Sequence, residues 1–209
     1  MTKEEILNKS DTEILAIARQ LRVAYGLKRT LRYATKRDEN EHSESVAEHV
    51  FALMFLAEFF LPLEEANESF DVRKLHQILL FHDFGEIKHG DLPYHWKTEE
   101  DKKKEIEAAV EIFQSLPASM REESFARWSE YEKRESDEAR FAYALDKVEP
   151  LFELMDPVNE QSMKRLKFSY EDHIGVKRRA TEAFPVMRKF VEVITHSMVN
   201  REVFWKNAM

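Results

Sequence analysis

The chain contains no cysteine. That excludes disulfides, thiolate metal ligands and a cysteine nucleophile, so any transition metal must be held by histidine, aspartate and glutamate. It also fits a reducing compartment. Glycine is scarce: Gly26, Gly85, Gly90 and Gly175 are the whole set. They are too few and too scattered for a G-x-G-x-x-G dinucleotide loop, a P-loop or a G-x-S-x-G nucleophile elbow. Long apolar runs are missing as well. The most apolar stretch, Val50 to Ala57, is closed by His49 and Glu58, well short of the roughly 20 residues needed to cross a bilayer. No membrane-spanning helix and no membrane partner are expected. Positive charge is not in excess either, with 32 Lys and Arg against 40 Asp and Glu and a formal net charge of −8. Such a field repels polyanions, so polymeric nucleic acid is not an expected partner. The first residues, Met1-Thr2-Lys3-Glu4-Glu5, carry acids where a secretory signal would be basic and then apolar. A cytoplasmic location is the expectation.

What is present is a 209-residue chain, 43% hydrophobic and 34% charged, long enough to bury a real core in one domain. Ser10-Asp11-Thr12-Glu13 is a capping box ahead of Ile14, Leu15 and Ala18, which predicts a first helix running to about Gly26. A second is expected from about Ser45, with Val46, His49, Val50, Leu53, Ala57 and Phe60 at helical spacing until Pro62 stops it. A third starts at Asp71, puts Leu75, Ile78, Leu79 and His82 on one stripe, and ends near Gly85. Further helices are expected over 98–116, 118–135 and 136–155, and from about Gly175 to the carboxyl end. No segment alternates with period two long enough to argue a sheet. The predicted fold is all-α, a single-domain helical bundle spanning 1–209.

Two histidines, His49 and His82, fall on apolar stripes, where an unpaired ring costs a few kcal/mol. A backbone carbonyl is the ordinary partner for either ring taken alone. Asp83 follows His82 at once, and Asp146 lies at the edge of an apolar helix face after Ala142 and Leu145, where a carboxylate needs a cation or a metal. Together these four make a possible set of two imidazoles and two carboxylates. Mixed nitrogen and oxygen donors suit one divalent ion, with Mn, Fe, Co, Ni, Zn and Mg all open. Four protein ligands would leave coordination positions for water and substrate. Pro150 has no amide hydrogen for the carbonyl of Asp146, so that helix is expected to bend at the proposed ligand or to break before the proline.

The order His49, His82-Asp83, Asp146 resembles the HD-domain superfamily of metal-dependent phosphohydrolases. The flanking residues narrow the likeness. Glu44-Ser45-Val46-Ala47-Glu48-His49, His82-Asp83-Phe84-Gly85-Glu86, Gly90-Asp91-Leu92-Pro93 and Leu145-Asp146-Lys147-Val148-Glu149 are similar to the 5′-deoxynucleotidase branch. The resemblance runs from about Leu27 to Met155, leaving 156–209 as carboxyl-terminal helices. It implies that the four ligands hold one divalent ion, that Glu86 assists proton transfer, and that Asp91 meets the nucleotide. Arg32-Tyr33 stands where family members carry Arg-Trp, which implies a phosphate contact from Arg32 and a sugar or base contact from Tyr33. Arg37 is a second phosphate candidate, since guanidinium forks match phosphate oxygens.

The expected substrate is a small phosphoester, a nucleoside 5′-monophosphate above others, and the resemblance also implies a homodimer. The alternatives are an HD phosphohydrolase acting on another small phosphoester and a metal-binding helical module without turnover. Val203-Phe204-Trp205 is expected either in a dimer interface or folded back on its own core. His89 and His95 flank the GDLP turn as weaker candidates for substrate or a second ion. Lys102-Lys103-Lys104 reads as a solvated face.

Overall fold

The structure, a computed structural model, describes residues 2–21, 45–64, 69–89, 97–116, 118–156, 163 and 167–205. All its regular elements are helices: no strand occurs among the described residues. The helices are α1 (Lys3–Leu7), α2 (Asp11–Leu21), α3 (Val46–Leu63), α4 (Val72–Phe81) and α5 (Glu86–His89). They continue with α6 (Glu99–Ser115), α7 (Ala118–Lys133), α8 (Asp137–Glu153), α9 (Tyr170–Ala180) and α10 (Pro185–Asn200). The chain divides into two compact units, one of residues 1–68 with 144–209 and one of residues 69–143. The boundary falls within α8.

Helix starts follow local chemistry. Ser10 and Glu13 exchange hydrogen bonds at the head of α2, the Ser10 amide donating to Glu13 Oε2 at 2.9 Å. Ser45 and Glu48 do the same ahead of α3, and Thr98 and Asp101 ahead of α6. Asp71 accepts from the Lys74 amide at the start of α4. Each such cap satisfies amides that the first turn leaves without partners. A further box, Thr2 with Glu5, opens α1, a helix too short for periodicity to reveal.

Two expectations need correction, and one pair of alternatives narrows. Pro62 does not stop α3, which runs one residue past it to Leu63. Of the bend and the break expected at Pro150, the break does not occur, since α8 continues to Glu153. A proline in the last turn removes one amide donor near an end that already lacks partners, so the helix tolerates it. The predicted helix from Gly175 onward is two. The first runs from Tyr170 to Ala180 with Thr181 as its cap, and the second starts at Pro185, whose fixed φ suits a first helical position but cannot extend the preceding helix.

In the first unit the core is built from α1, α2, α3, the second part of α8, and α10. Phe190 of α10 is fully buried and meets Phe60 edge-on at 5.2 Å, Phe59 at 5.8 Å and Phe152 in a stack at 6.1 Å. Glu64 Oε1 accepts from the Met187 amide at 2.8 Å, capping α10 where Phe184 offers no side chain to do so. Taken alone, α3 is long and apolar enough to cross a membrane, with a mean hydropathy of 1.7. Its buried Ala52, Leu53, Leu56, Ala57, Phe60, Leu61 and Leu63 serve the core of this unit. Val203 and Phe204 are buried too, and the Trp205 amide donates to the Phe168 carbonyl at 3.0 Å. Of the two expectations for that segment, folding back is the one observed.

In the second unit α4 packs on α7, and α6 packs on both α5 and α7. Phe81, Ala109, Phe113 and Trp128 form its buried cluster, with Phe84 and Leu116 against it. Lys102, Lys103 and Lys104 are exposed, as the solvated-face reading expects.

Phe190→Ala would leave a void where three aromatic rings converge, and large-to-small changes of this kind cost about 3–5 kcal/mol. Urea unfolding should show the loss as a lower midpoint with an unchanged slope. A loss below about 1 kcal/mol would mean that the site collapses around the void.

Candidate metal centre and active site

Within the first unit, His49 and Asp146 lie side by side. His49 sits in the first turn of α3 just after its capping box, where the Ser45 carbonyl accepts from its amide at 3.0 Å. Its Nε2 lies 3.2 Å from Asp146 Oδ1 and its Nδ1 lies 3.1 Å from Glu149 Oε2. Glu149 is 1% exposed, a carboxylate that cannot be left without a partner. Asp146 and Glu149 stand three residues apart on α8, so one helical face presents both to the same ring. Burial alone would push the His49 pKa down. The hydrogen bonds and charges of Asp146 and Glu149 outweigh it and hold the ring well above the ordinary imidazole value.

The second unit holds His82, Asp83 and Glu86 close in sequence. α4 ends at Phe81, and His82 caps it with helical backbone angles, so the pair lies at the helix end rather than within it. The His82 Nδ1 faces the Leu79 carbonyl at 2.8 Å, and its Nε2 lies 3.0 Å from Asp83 Oδ2. The ring is 2% exposed and packs at a tilt against Tyr131, with centroids 4.9 Å apart. Gly85 follows in the turn. A Cβ there would lie 3.1 Å from the Glu105 carbonyl and 3.2 Å from its Cγ, so a larger residue would make α6 give by a few tenths of an ångström where glycine passes without strain. Glu86 opens α5. Its side chain is 8% exposed and faces the Lys97 ammonium at 3.8 Å, while Lys97 binds Glu105 at 2.9 Å.

The donor chemistry of each pair fits a divalent ion. In both histidines Nδ1–H has an acceptor, the Glu149 carboxylate or the Leu79 carbonyl. That arrangement leaves Nε2 as the ligand atom, the usual arrangement around bound metals. Two donors held at about 2.1 Å from one ion and at a right angle lie about 3.0 Å apart. The separations within the pairs are 3.2 Å for His49 with Asp146 and 3.0 Å for His82 with Asp83. Arg32, Tyr33, Arg37 and Asp91 lie outside the described residues, as does His95, and the His89 side chain is not described.

The sequence profile of the HD-domain family matches residues 24–188. The chain belongs to the HD-domain family. Among curated relatives, the mouse protein named 5′-deoxynucleotidase HDDC2 is 28% identical over 162 residues, covering 76% of this chain and 79% of its own length. The human protein of the same name is 30% identical over 158 residues, covering 74% and 75%. The crystal structure of a predicted metal-dependent phosphohydrolase from Magnetospirillum magnetotacticum superposes with a TM-score of 0.68 at 26% identity, covering 92% of this HD-domain chain and 98% of its own.

Reasoning from sequence missed the roles of two residues here. Glu149 was visible only as part of the Asp146 motif, and its partnership with His49 spans 100 residues. A second acid one turn after the first on an apolar helix was the available signal. Lys97 lay in a polar stretch between turn and helix with nothing to mark it.

Glu149→Gln keeps the shape and removes the charge behind His49. Loss of such an outer partner typically weakens metal binding by about 10–100-fold. Calorimetric titration of the metal-free variant with Mn²⁺ should read a loss in that range, and unchanged affinity would reduce Glu149 to a packing role.

Proposed function

We propose that this HD-domain chain is a metal-dependent phosphohydrolase that releases phosphate from deoxynucleoside 5′-monophosphates. The observation that carries the reading is the His82–Asp83 pair, with its ring anchored through Nδ1 and its Nε2 beside a carboxylate oxygen, in a chain of this family. The substrate class is supported by the relatives named 5′-deoxynucleotidase. His49, His82 and Asp83 offer the donors such an ion takes, and Asp146 completes a proposed set of four around one divalent ion. The residues form one HD-type domain in this reading, cytoplasmic and homodimeric.

When bound, the ion supplies Lewis acidity, polarising the phosphoryl group and lowering the pKa of water. The chain does the rest. Water attacks phosphorus, the P–O5′ bond breaks, and the nucleoside leaves with a proton on its 5′ oxygen. Glu86 is the carboxylate that moves this proton, since it stands three residues after Asp83 and is held beside Lys97. Arg32 and Arg37 offset charge on the nonbridging oxygens, Tyr33 packs against sugar or base, and Asp91 orients the 5′ end. Selectivity for a 5′-monophosphate follows from contacts on both sides of the scissile bond.

His82→Ala or Asp83→Ala should abolish bound metal and turnover together. Glu86→Gln should keep the metal and lower kcat by about 10²–10⁴-fold; full turnover would remove Glu86 from the reaction. A screen of nucleoside monophosphates with added Mn²⁺, Co²⁺ or Mg²⁺ should favour 5′ over 3′ esters. Equal rates on both would argue for another small phosphoester, and a metal-loaded chain inert on every ester would favour a binding module.

A further inference from the structure

The turn of α8 that carries Asp146 and Glu149 is the one that Pro150 weakens. The proline has no amide to give the Asp146 carbonyl, and its ring crowds that carbonyl. Yet the helix runs on to Glu153. A side chain from another helix reaches into this turn. Lys177 of α9 is 5% exposed, and its Nζ donates to the Lys147 carbonyl at 2.7 Å. Lys147 lies between the two acids, and its own ammonium binds Asp146 Oδ2 at 2.6 Å.

Burying a lysine amine for one carbonyl is costly. Burial pushes its pKa down to about 7, with Lys147 adding repulsion and Asp146 and Glu149 opposing it. The amine can donate to a carbonyl in either protonation state. Within α9, Thr181 Oγ1 donates to the Lys177 carbonyl at 2.7 Å, and His173, one turn earlier, is buried against Phe204 with ring centroids 5.1 Å apart.

We propose that Lys177 is a positioning residue for the metal centre, fixing through the Lys147 carbonyl the turn from which Asp146 and Glu149 reach His49. The inference rests on the metal-site reading above. Lys177 touches neither ligand nor substrate in this role. It replaces, from outside the helix, restraint that the proline turn cannot supply for itself.

The test uses the full chain, stripped of metal and titrated with Mn²⁺ or Co²⁺ alone. Lys177→Met keeps the volume and removes the donor. It should fold with a melting temperature no lower than the parent's, because a buried amine is replaced by an apolar group. It should nevertheless bind Mn²⁺ about tenfold or more weakly, as loss of outer-shell support does, and alter the visible spectrum of bound Co²⁺. Lys177→Arg, which keeps a donor, should recover part of the affinity. Pro150→Ala restores the missing amide, so the loss caused by Lys177→Met should shrink several-fold in that background; additive losses would overturn the proposal. Parent affinity and an unchanged Co²⁺ spectrum in Lys177→Met would overturn it as well. Loss of binding in His82→Ala but not in Lys177→Met would sink this inference alone, whereas a parent chain that binds neither ion would sink the metal-site reading with it.

Discussion

A carboxylate inside a protein needs a positive partner, and α8 carries two of them one turn apart. Asp146 and Glu149 are both directed at the ring of His49, which answers one with each nitrogen. Much of the first unit is arranged to keep that contact. The capping box of Ser45 and Glu48 fixes where α3 begins and so where its first turn presents His49. Leu145 and Val148, on the same stretch of α8 as the acids, are fully buried, as is Phe152, which stacks on Phe190. The apolar face therefore sets the depth at which the acids lie. Moving α8 by one residue would turn its face by about 100° and leave buried carboxylates without a ring to meet.

Much of the helical framework was legible in the sequence because its determinants are local. Ser10 with Glu13, Ser45 with Glu48, Asp71 and Thr98 each act within three residues, and each marks a helix start in the structure. Pro62 was misread for a physical reason. It was treated as a stop, but it falls near the helix end, where one lost amide matters least. At Pro150, where a bend or a break was expected, α8 continues, and a lysine from α9 contributes a bond of its own. Pro185 was the opposite case: a real boundary, preceded by Thr181 as a cap, inside a stretch read as one helix.

The candidate donor types were legible because chemistry restricts them once cysteine is absent. Their supports were not. Glu149 and Lys97 act through tertiary contacts; Glu149 offered only the signal of a second acid one turn after Asp146, and nothing in composition or periodicity separates Lys97 from a solvated charge. Lys177 was harder still, since it opens the run Lys177-Arg178-Arg179 in the last turn of α9, where basic residues are favoured for interaction with the helix dipole. Arg178 stays on the outer side, sharing Glu192 with Arg188. Lys177, one position earlier on the helix, is turned inward and buried.

The two histidines hold Nε2 beside a carboxylate oxygen by different anchors, and the difference has chemical content. The His49 Nδ1 faces a buried carboxylate, whereas the His82 Nδ1 faces a neutral carbonyl. A negative partner raises the basicity of the opposite nitrogen more than a neutral one does, so His49 is the stronger electron donor of the two. His82 is held instead by confinement: its ring is buried, packed on Tyr131 and fixed at the end of α4 by the tight passage of Gly85. One ring is thus tuned by charge and the other by packing. A substitution that removes charge behind His49 acts through electronics. One that loosens the turn after His82 acts through the freedom of the ring, so the two pairs respond to different kinds of damage.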